Sequence, residues 1–573
     1  MKWYTDQGNG GTRYAGEPDA SGVQCIPAAV LQRHGALVLS PADCAVVRGW
    51  PTPQSTVYRA RTLLVPPGLL AGAPFDAINQ VLARVGLSLA APGEQPPRTL
   101  TAQPNVTDGG GRPEMTQLPR TAVLAPAAPH DRAAPLPVRV DAWVALQALR
   151  GSAAAHEYPA LGEESVSQIS LEHLLVGSAI TGTPASDGGG VTGNPASDGG
   201  GVTGPGNTDS YLYGFDGRTP VEVCAEAPGR QPGDVCASRY GRRPVVAVLD
   251  TGSRAHPWLG VAADPSAPGG YTTTGGFVSV DQGMQDLLHA HGQASATAGD
   301  RPRHLIRYPW DGPVTADPLI GELDTHTGHG TFIAGIVRQI APDATVLALR
   351  IMHSDGIVYE GDLLYALGLL AARVSAALDG DLSQMVDIVS LSLGYFSETS
   401  SDQAYTFKLW QAIEPLLEMG VVVTAAAGNY STSRRFYPAA FADLAVPADS
   451  VPLISVGALN PNGSQALFSD GGHWIRAAAP GAALLSTFPA DINGSRDPQV
   501  SLPARAALDP DDFRSGFALW SGTSFAAPYL AAQLASSLLR EAEAGGGMRL
   551  DLPGGAAASD RAKNSLKALG WPG

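Results

Sequence analysis

Four polar side chains in the second half of the sequence stand where a strand ends or a helix begins. Asp250 closes the run VVAVLD, His329 lies in HTGHGTFIAGIV, Asn429 follows TAAAG, and Ser524 lies in SGTSFAAP. A hydroxyl beside an imidazole that is oriented by a carboxylate is the arrangement of an activated nucleophile. A fixed side-chain amide can stabilise the oxyanion that such a nucleophile generates. These four residue types therefore suggest acyl-transfer chemistry.

Each of the four residues also has a structural alternative. Asp250 precedes Thr-Gly and fits a turn, and an Asn after Gly, such as Asn429, is commonly a turn residue. Ser524 lies at a helix start, where hydroxyls satisfy free N–H groups and Pro528 is tolerated. A helix cap does not need Gly522, which lets another molecule approach the backbone. A lone histidine at a helix start, such as His329, is more often structural than catalytic, but we expect the two glycines beside it to open space around it.

Elements predicted from the same half of the chain would bring the four residues together. Apolar runs predict buried strands, and two longer segments have the spacing of helices: PVVAVLD, TVLALRIM, DIVSLSLG, GVVVTAAAGN and VPLISVGA, then EGDLLYALGLLAARV and FKLWQAIEPLLEMG. Such alternation predicts an α/β fold, a mostly parallel twisted sheet with helices on both sides. Ligands bind such sheets at the carboxyl ends of the strands.

The segments VLDTG, GHGTFIAGIV, SLSLG, AAAGN and SGTSFAAP resemble the signature segments of the subtilisin-like serine peptidases. The resemblance covers about Arg242 to Leu539 and implies a three-layer subtilisin-like domain. It implies Ser524 as nucleophile, His329 as general base and acid, and Asp250 as the group that orients the imidazole. Asn429 and the Ser524 N–H would form the oxyanion hole. His329 and Asn429 exclude the related sedolisin type.

The resemblance also implies where a protein or peptide substrate binds. It would add as a strand beside Ser392, Leu393 and Gly394. The walls of the specificity pocket would come from these residues and from Ala425 to Gly428, which include Ala427 and Gly428. Phe436, just before Tyr-Pro, would fill the far end of the pocket, so that only small residues fit before the cleaved bond. The alternative is that Phe436 turns outward or packs under its loop.

Other residues depart from the family pattern or match it without chemistry. Phe332 stands where many relatives have a second histidine, and we expect it to be a packing residue. We expect His256 to be structural. His289 and His291 form an i, i+2 pair without further metal ligands, and we interpret them as surface residues. No cofactor is expected, and calcium, frequent in the family, has no acidic loop to support it here.

A tandem repeat divides the chain. TGTPASDGGGV at Thr181–Val191 and TGNPASDGGGV at Thr192–Val202 predict a flexible linker over residues 176–208. A peptidase domain over 209–573 follows it. A small α+β domain over 51–175, compatible with a propeptide, precedes it; its second helix carries Val140, Trp143 and Val144 as a stripe. Residues 1–50 have no assignment.

Composition excludes some functions. The chain has 573 residues and a formal net charge of −16, without a basic cluster, so nucleic acid is not an expected partner. No segment is expected to approach the apolar length needed to cross a membrane, and the start MKWYTDQGNGG has no apolar signal region. We therefore favour a cytoplasmic location. Two cysteine pairs could form disulfides that close loops in an oxidising compartment: Cys25 with Cys44, and Cys224 with Cys236. The cysteines and the missing signal region therefore point to different compartments, and this conflict stays open.

Three functions remain open from the sequence. The first is a serine endopeptidase whose N-terminal domain inhibits it and is cut off between about Gly177 and Tyr211. The second is an inactive protease-like binding scaffold, against which the intact set of four residues argues. The third is a ligase or cyclase that transfers the acyl-enzyme to an amine instead of water.

Overall fold

The computed structural model describes residues 1–4, 26–42, 44–48, 50, 52–90, 118–127, 139–180, 217–295, 306–312, 315–317, 321–398, 403–544 and 548–572. The predicted linker over 176–208 lies outside the described residues from 181 onward.

The first part of the chain, up to residue 180, contributes six strands and four α-helices among the described residues. In chain order these are β1 (Lys2–Trp3), α1 (Ala28–Arg33), β2 (Ala36–Leu39), β3 (Thr56–Val65), α2 (Gly72–Ala83), β4 (Leu87–Leu89), β5 (Arg120–Pro126), α3 (Ala142–Ala154), α4 (Glu163–Ser167) and β6 (Ser170–Gly177).

The N-terminal unit is a split β-α-β arrangement. Its strands pair antiparallel in the order β4-β5-β3-β6, and β2 adds beside β3. Helices α2 and α3 pack together and bury Ile78, Leu82 and Trp143 in a shared core. Val144, expected in the buried stripe, is 39% exposed, because α3 turns Ala145 and Leu146 inward instead. The predicted stripe was therefore wrong at this residue.

The rest of the chain contributes the remaining elements. They are β7 (Arg218–Pro220), α5 (Gly233–Tyr240), β8 (Val245–Asp250), β9 (Val261–Ala263), β10 (Tyr271–Thr273), β11 (Val278–Val280), α6 (Gln282–Ala294), β12 (Thr315–Asp317), β13 (Glu322–Leu323), α7 (His329–Ile340), β14 (Thr345–Arg350), β15 (Ile357–Tyr359), α8 (Glu360–Leu378), β16 (Ile388–Leu391), β17 (Leu393–Phe396), α9 (Gln403–Glu418), β18 (Val422–Ala426), β19 (Phe436–Tyr437), β20 (Leu453–Leu459), β21 (Ala477–Pro480), β22 (Leu484–Thr487), β23 (Ser501–Leu502), β24 (Arg505–Ala506), β25 (Phe517–Trp520), α10 (Thr523–Ala544) and α11 (Gly555–Ala568).

The central sheet of this part is mostly parallel. Its order is β1-β21-β20-β18-β16-β8-β14-β11, and only the edge strand β1 runs antiparallel to its neighbour. The helices pack in two groups, α7 with α10, and α8 with α6 and α9. The expected α/β fold with a mostly parallel sheet is confirmed. Because the strands are parallel, the carboxyl ends of β8 and β18 lie on the same side of the sheet, where the strand ends meet.

Strand β6 joins the two parts of the molecule. Its first half pairs with β3, while its second half lies between β15 and β17, antiparallel to both. The boundary predicted between residues 175 and 176 falls inside this strand. The unassigned N-terminal segment also contributes, since Lys2 and Trp3 pair with Ala478 and Ala477 at the edge of the central sheet.

Helix α8 tests the expectation that no segment is long and apolar enough to cross a membrane. By length and composition its 19 residues could cross a membrane, so the expectation that no segment approaches this length was wrong. In the structure, 56% of its most apolar window is buried inside the protein. Burial of this kind is what a core helix requires, and the feature is weak evidence for a membrane span.

Candidate active site

Asp250, His329 and Ser524 form a continuous hydrogen-bonded chain. Asp250 is the last residue of β8, and His329 is the first residue of α7. The imidazole Nδ1 lies 2.8 Å from Asp250 Oδ1, and Nε2 lies 2.9 Å from Ser524 Oγ. All three side chains are almost completely buried. The structure therefore brings the three expected residues together although 195 positions separate His329 from Ser524.

The partners of His329 fix its tautomer. A carboxylate oxygen only accepts hydrogen bonds, so the proton of a neutral imidazole lies on Nδ1. Nε2 then accepts the hydrogen bond of the Ser524 hydroxyl. Asp250 also accepts from the Thr251 N–H at 2.7 Å, which holds the carboxylate in place. The ring nitrogen that faces Ser524 is thus free to take up a proton.

Ser524 lies in the first turn of α10, one residue after the helix begins. Pro528 is the sixth residue of the same helix, beyond the first turn where we expected it, so the Ser524 carbonyl lacks the N–H that residue 528 would otherwise donate. The Ser392 hydroxyl donates to this carbonyl instead, at 2.8 Å. Asn429 follows β18, and its Oδ1 accepts from both the N–H and the hydroxyl of Thr523, at 2.9 and 2.8 Å. These two bonds orient the Asn429 amide so that its NH₂ group faces the cleft.

The chain's own residue Ser178 occupies the cleft. Its carbonyl oxygen accepts hydrogen bonds from Asn429 Nδ2 at 2.5 Å and from the Ser524 N–H at 2.9 Å. A Cβ on Gly522 would lie 2.5 Å from the same oxygen and 2.8 Å from the Ala179 Cα. The expectation that Gly522 lets another backbone come close thus has a physical basis in this structure. Sequence reasoning missed Ser178, since no local pattern marks it.

Residues before and after Ser178 lie along the cleft as an extended strand. The Ser178 N–H donates to the Ser392 carbonyl at 2.9 Å, and Gly177 pairs with Leu393. Gly394 pairs with Val176 on the same edge. The three residues expected to hold a substrate strand, Ser392, Leu393 and Gly394, therefore pair with β6 and its extension.

The strand continues past the Ser178–Ala179 bond. The Ile180 N–H donates to the Ser521 carbonyl at 2.9 Å, and the Trp520 indole donates to the Ile180 carbonyl at 2.7 Å. Backbone contacts thus hold the chain on both sides of Ser178, so its carbonyl is fixed relative to Ser524.

The glycines on either side of His329 have a different role from the one expected. A Cβ on Gly328 would lie 2.5 Å from the Phe488 ring, and one on Gly330 would lie 2.1 Å from the Gly252 carbonyl oxygen. They do not open space. They are required because the helix start packs directly against the loop after Asp250 at Gly330 and against the Phe488 ring at Gly328.

Asp311 ties this helix start to the loop after β8, and sequence reasoning missed it. Its Oδ2 accepts from the Gly328 N–H at 2.7 Å and from the Thr251 hydroxyl at 3.1 Å. The Thr251 oxygen in turn accepts from the Gly330 N–H at 2.9 Å. Burial raises the pKa of Asp311 to about 7, although Arg350 and Arg254 oppose the rise.

Phe436 lies under the glycines of the expected specificity pocket. Its side chain is fully buried, and a Cβ on Gly394 or Gly428 would lie 2.3 or 3.1 Å from its ring. Ala427, between β18 and Gly428, is buried as well. The ring therefore lies against both glycine walls of the expected pocket and is not turned outward into solvent.

Several secondary expectations have clear outcomes. His256 is buried and accepts from the Trp258 N–H, and Phe332 packs against Phe525 with ring centroids 4.5 Å apart. The surface interpretation was wrong for His291, which is 7% exposed and stacks on Tyr365. His289 Nδ1 lies 3.1 Å from the Ile306 carbonyl oxygen.

The cysteine and metal expectations can be followed in part. Cys224 and Cys236 are free thiols, so the suggested Cys224–Cys236 pairing is absent. The suggested partner of Cys44, Cys25, lies outside the described residues. In the described part of the chain, no three His, Cys, Asp or Glu side chains form a group able to hold a metal ion.

The N-terminal unit docks on the other part through a buried charged group. His173, in β6, contacts Glu360 through Nδ1 at 2.7 Å and Glu398 through Nε2 at 2.8 Å. Its ring stacks on Tyr395 at 4.5 Å. Burial favours the neutral ring, but the two carboxylates outweigh it and raise the pKa of His173 to about 10. The charge of His173 therefore compensates two buried acids.

A second charged contact lies closer to the cleft. Arg33 and His34, which follow one another at the end of α1, contact the Asp355 carboxylate at 2.7 and 2.8 Å. Although burial opposes ionisation, these contacts keep the pKa of Asp355 below its ordinary value. Asp355 directly precedes Gly356, whose carbonyl oxygen accepts the Gly177 N–H.

A family model matches the part of the chain that carries these residues. The model of the subtilase family of peptidases matches residues 241–545, just over half of the chain. The chain therefore belongs to the subtilase family.

The chain is also similar to individual proteins. The chain is 28% identical to subtilisin DY from Bacillus licheniformis, over 32% of this chain and 62% of that protein. It is 30% identical to the thermophilic serine proteinase of Bacillus sp. (strain AK1), over 36% of this chain and 42% of that protein. A solved structure called S41 Psychrophilic Protease matches at 21% identity with a TM-score of 0.30, covering 55% of this chain and 86% of that one. The chain thus spans about two-fifths to three-fifths of the length of these two curated relatives.

Proposed function

We propose that this chain is a serine endopeptidase that cleaves peptide bonds through Asp250, His329 and Ser524. The observation that carries the proposal is the position of the Ser178 carbonyl. Its oxygen accepts two hydrogen bonds, from Asn429 and from the Ser524 N–H, while the Ser524 hydroxyl contacts the His329 imidazole. Two fixed donors on a carbonyl beside an activated hydroxyl are what attack on that carbonyl requires.

The proposed reaction uses the observed contacts in order. Ser524 Oγ attacks the carbonyl carbon, and its proton passes to His329 Nε2, whose charge Asp250 stabilises. Asn429 and the Ser524 N–H bind the oxygen as it becomes negative. The bond to the leaving nitrogen breaks as His329 returns the proton to that nitrogen. Water then attacks the acyl carbon while His329 accepts one of its protons. The bond from this carbon to Ser524 Oγ breaks as His329 returns the proton to Oγ, and the new carboxylic acid leaves and ionises in water.

We propose that the first substrate is the chain's own Ser178–Ala179 bond. This bond lies inside the interval expected from the sequence, and the backbone on both sides of it is held by Ser392 and Ser521. After cleavage, β6 would still pair with β15 and β17, so the N-terminal unit would block the cleft as an inhibitor until it dissociates.

A peptide with the sequence from Leu175 to Ile180, LVGSAI, tests the activity directly. The processed enzyme should hydrolyse it between Ser and Ala with the gain of one water. Ser524→Ala should leave it intact. Joining of the LVGS fragment to an added amine, without gain of water, would instead favour the ligase function. An intact peptide with the wild-type enzyme would contradict the proposed function.

The inhibitory role has its own test. The N-terminal fragment, separated from the processed enzyme and added back, should slow hydrolysis of LVGSAI in a dose-dependent manner. An unchanged rate would remove the inhibitor role and leave the peptidase activity standing.

A further inference from the structure

His326 lies against Gly177, the residue before Ser178. A Cβ on Gly177 would lie 2.7 Å from both Cδ2 and Nε2 of the His326 ring and 3.1 Å from the Met352 sulfur. Real Cβ atoms do not approach other atoms this closely. Any residue other than glycine at this position would therefore have to displace the ring or move the strand.

The His326 ring cannot move away easily, because its surroundings hold it. Its opposite side covers Gly356, where a Cβ would lie 2.4 Å from Nδ1. The ring is thus enclosed by two glycines, one on the bound strand and one on the protein edge. The ring is also 3% exposed and lies 5.2 Å from the His329 ring, edge to face.

Hydrogen bonds fix the ring further. Nε2 lies 3.2 Å from the Gly177 carbonyl oxygen, which can only accept, so Nε2 carries the proton. Nδ1 then accepts from the Thr325 hydroxyl at 3.0 Å. Burial, together with the nearby His329 and Arg218, lowers the pKa of His326 to about 3. The ring is therefore neutral at any pH at which the enzyme would work, and it donates to the bound strand.

The strand cannot shift away from the ring either. The Gly177 N–H donates to the Gly356 carbonyl at 2.9 Å, and the following Ser178 N–H donates to the Ser392 carbonyl at 2.9 Å. A shift large enough to make room for a Cβ would break these bonds and move the Ser178 carbonyl away from Asn429 and Ser524. The free-energy cost of placing a Cβ at position 177 would therefore lower the rate of cleavage at the Ser178–Ala179 bond.

We propose that His326 restricts cleavage to bonds whose second residue upstream is glycine. This inference rests on the proposed function. We also expect Phe436 to limit the residue before the bond to small side chains, so the preferred substrates are extended peptides with Gly followed by Ser or Ala. His326 is a specificity-determining residue here and takes no part in proton transfer to or from Ser524.

The wild-type enzyme tests this without any variant. Its kcat/KM for LVGSAI should exceed that for LVASAI by about 10- to 100-fold, the range expected from forcing one methyl into a packed site. His326→Ser, which removes the ring, should reduce this ratio at least about fivefold. Equal kcat/KM values for the two peptides with the wild-type enzyme would overturn the proposal. If neither peptide is cleaved, the proposed function fails and the measurement below still decides the role of His326.

The uncut full-length chain gives a readout that does not depend on activity. In the Ser524→Ala background, Gly177→Ala should weaken the pairing of β6 with its neighbouring strands. Hydrogen exchange at the amides of Leu175 and Val176 should then be at least about tenfold faster. Adding His326→Ser should restore most of the protection. Gly162→Ala is the matched control, because a Cβ at Gly162 meets nothing within 4 Å. Equal exchange in the Gly177→Ala and Gly162→Ala chains would contradict a closed site at Gly177.

Discussion

The side-chain amide of Asn429 donates a 2.5 Å hydrogen bond to the carbonyl oxygen of Ser178, a residue 251 positions earlier in the chain. Because Thr523 holds the Asn429 oxygen with two further bonds, the amide cannot turn around without losing both. The donor is therefore in place before any charge develops on the Ser178 oxygen. Such preorganisation is the largest contribution in many acyl-transfer enzymes.

Removing this donor should lower the rate of the chemical step. We expect Asn429→Ala to reduce kcat for LVGSAI by about 100- to 1,000-fold while KM changes little, since the bond strengthens in the transition state. Steady-state kinetics with the processed enzyme measure both constants. A loss confined to KM would mean that Asn429 only helps to bind the substrate.

Replacing the hydroxyl should abolish both hydrolysis and covalent labelling. We expect Ser524→Ala to lose several orders of magnitude in kcat/KM and to take up no fluorophosphonate, because Ser524 is the hydroxyl that contacts His329. Ser521→Ala is a matched control, because the Ser521 hydroxyl oxygen accepts from the Ala483 N–H at 2.9 Å and faces that backbone instead of the imidazole. Labelling that persists in Ser524→Ala would assign the nucleophile elsewhere.

Shortening Phe436 should enlarge the pocket beneath Ser178. The ring packs under Gly394 and Gly428, so Phe436→Gly should leave space there. We expect cleavage of LVGFAI relative to LVGAAI to rise by at least about tenfold, as a pocket difference of 1–3 kcal/mol allows. The ratio of the two kcat/KM values, measured for the wild-type enzyme and for Phe436→Gly, shows whether the ring limits the pocket. An unchanged ratio would mean that the ring does not limit the pocket.

Docking of the N-terminal unit should weaken at high pH. The pKa of His173 is about 10 when docked and about 6.5 when exposed, so its contribution is complete below about pH 6.5 and is lost as the pH rises through 10. In the uncut Ser524→Ala chain, adding His173→Gln should lower Tm by about 5 °C at pH 7. The Tm difference should shrink toward pH 10.5. A difference that stays constant with pH would show that the ring is not charged when docked.

The sequence alone indicated that the site lies at the carboxyl ends of the parallel strands. Asp250 ends a strand, Asn429 follows one, and His329 and Ser524 begin helices, so a parallel sheet brings all four to one edge. The helix start at His329 and the strand end at Asp250 agree with the predicted elements. Apolar runs at fixed period carry this information locally.

The other features of the site depend on contacts between segments that lie far apart in the sequence, and no local pattern indicates them. Nothing around Ser178 marks it, because its place in the cleft results from β6 pairing with β15 and β17. His326 precedes His329 by three residues, yet its contact with Gly177 appears only once β6 is docked. His291 was misplaced on the surface because the i, i+2 spacing says nothing about Tyr365, which covers it.

Intact-mass analysis of the purified full-length chain tests the central claim most directly. The wild-type protein should separate into two fragments, of which the C-terminal one begins at Ala179, and Ser524→Ala should remain a single uncut chain. The positions of Asn429, Ser524 and His329 around the Ser178 carbonyl require this result. A wild-type chain that keeps the Ser178–Ala179 bond intact, or a Ser524→Ala chain cut at the same bond, would contradict the account.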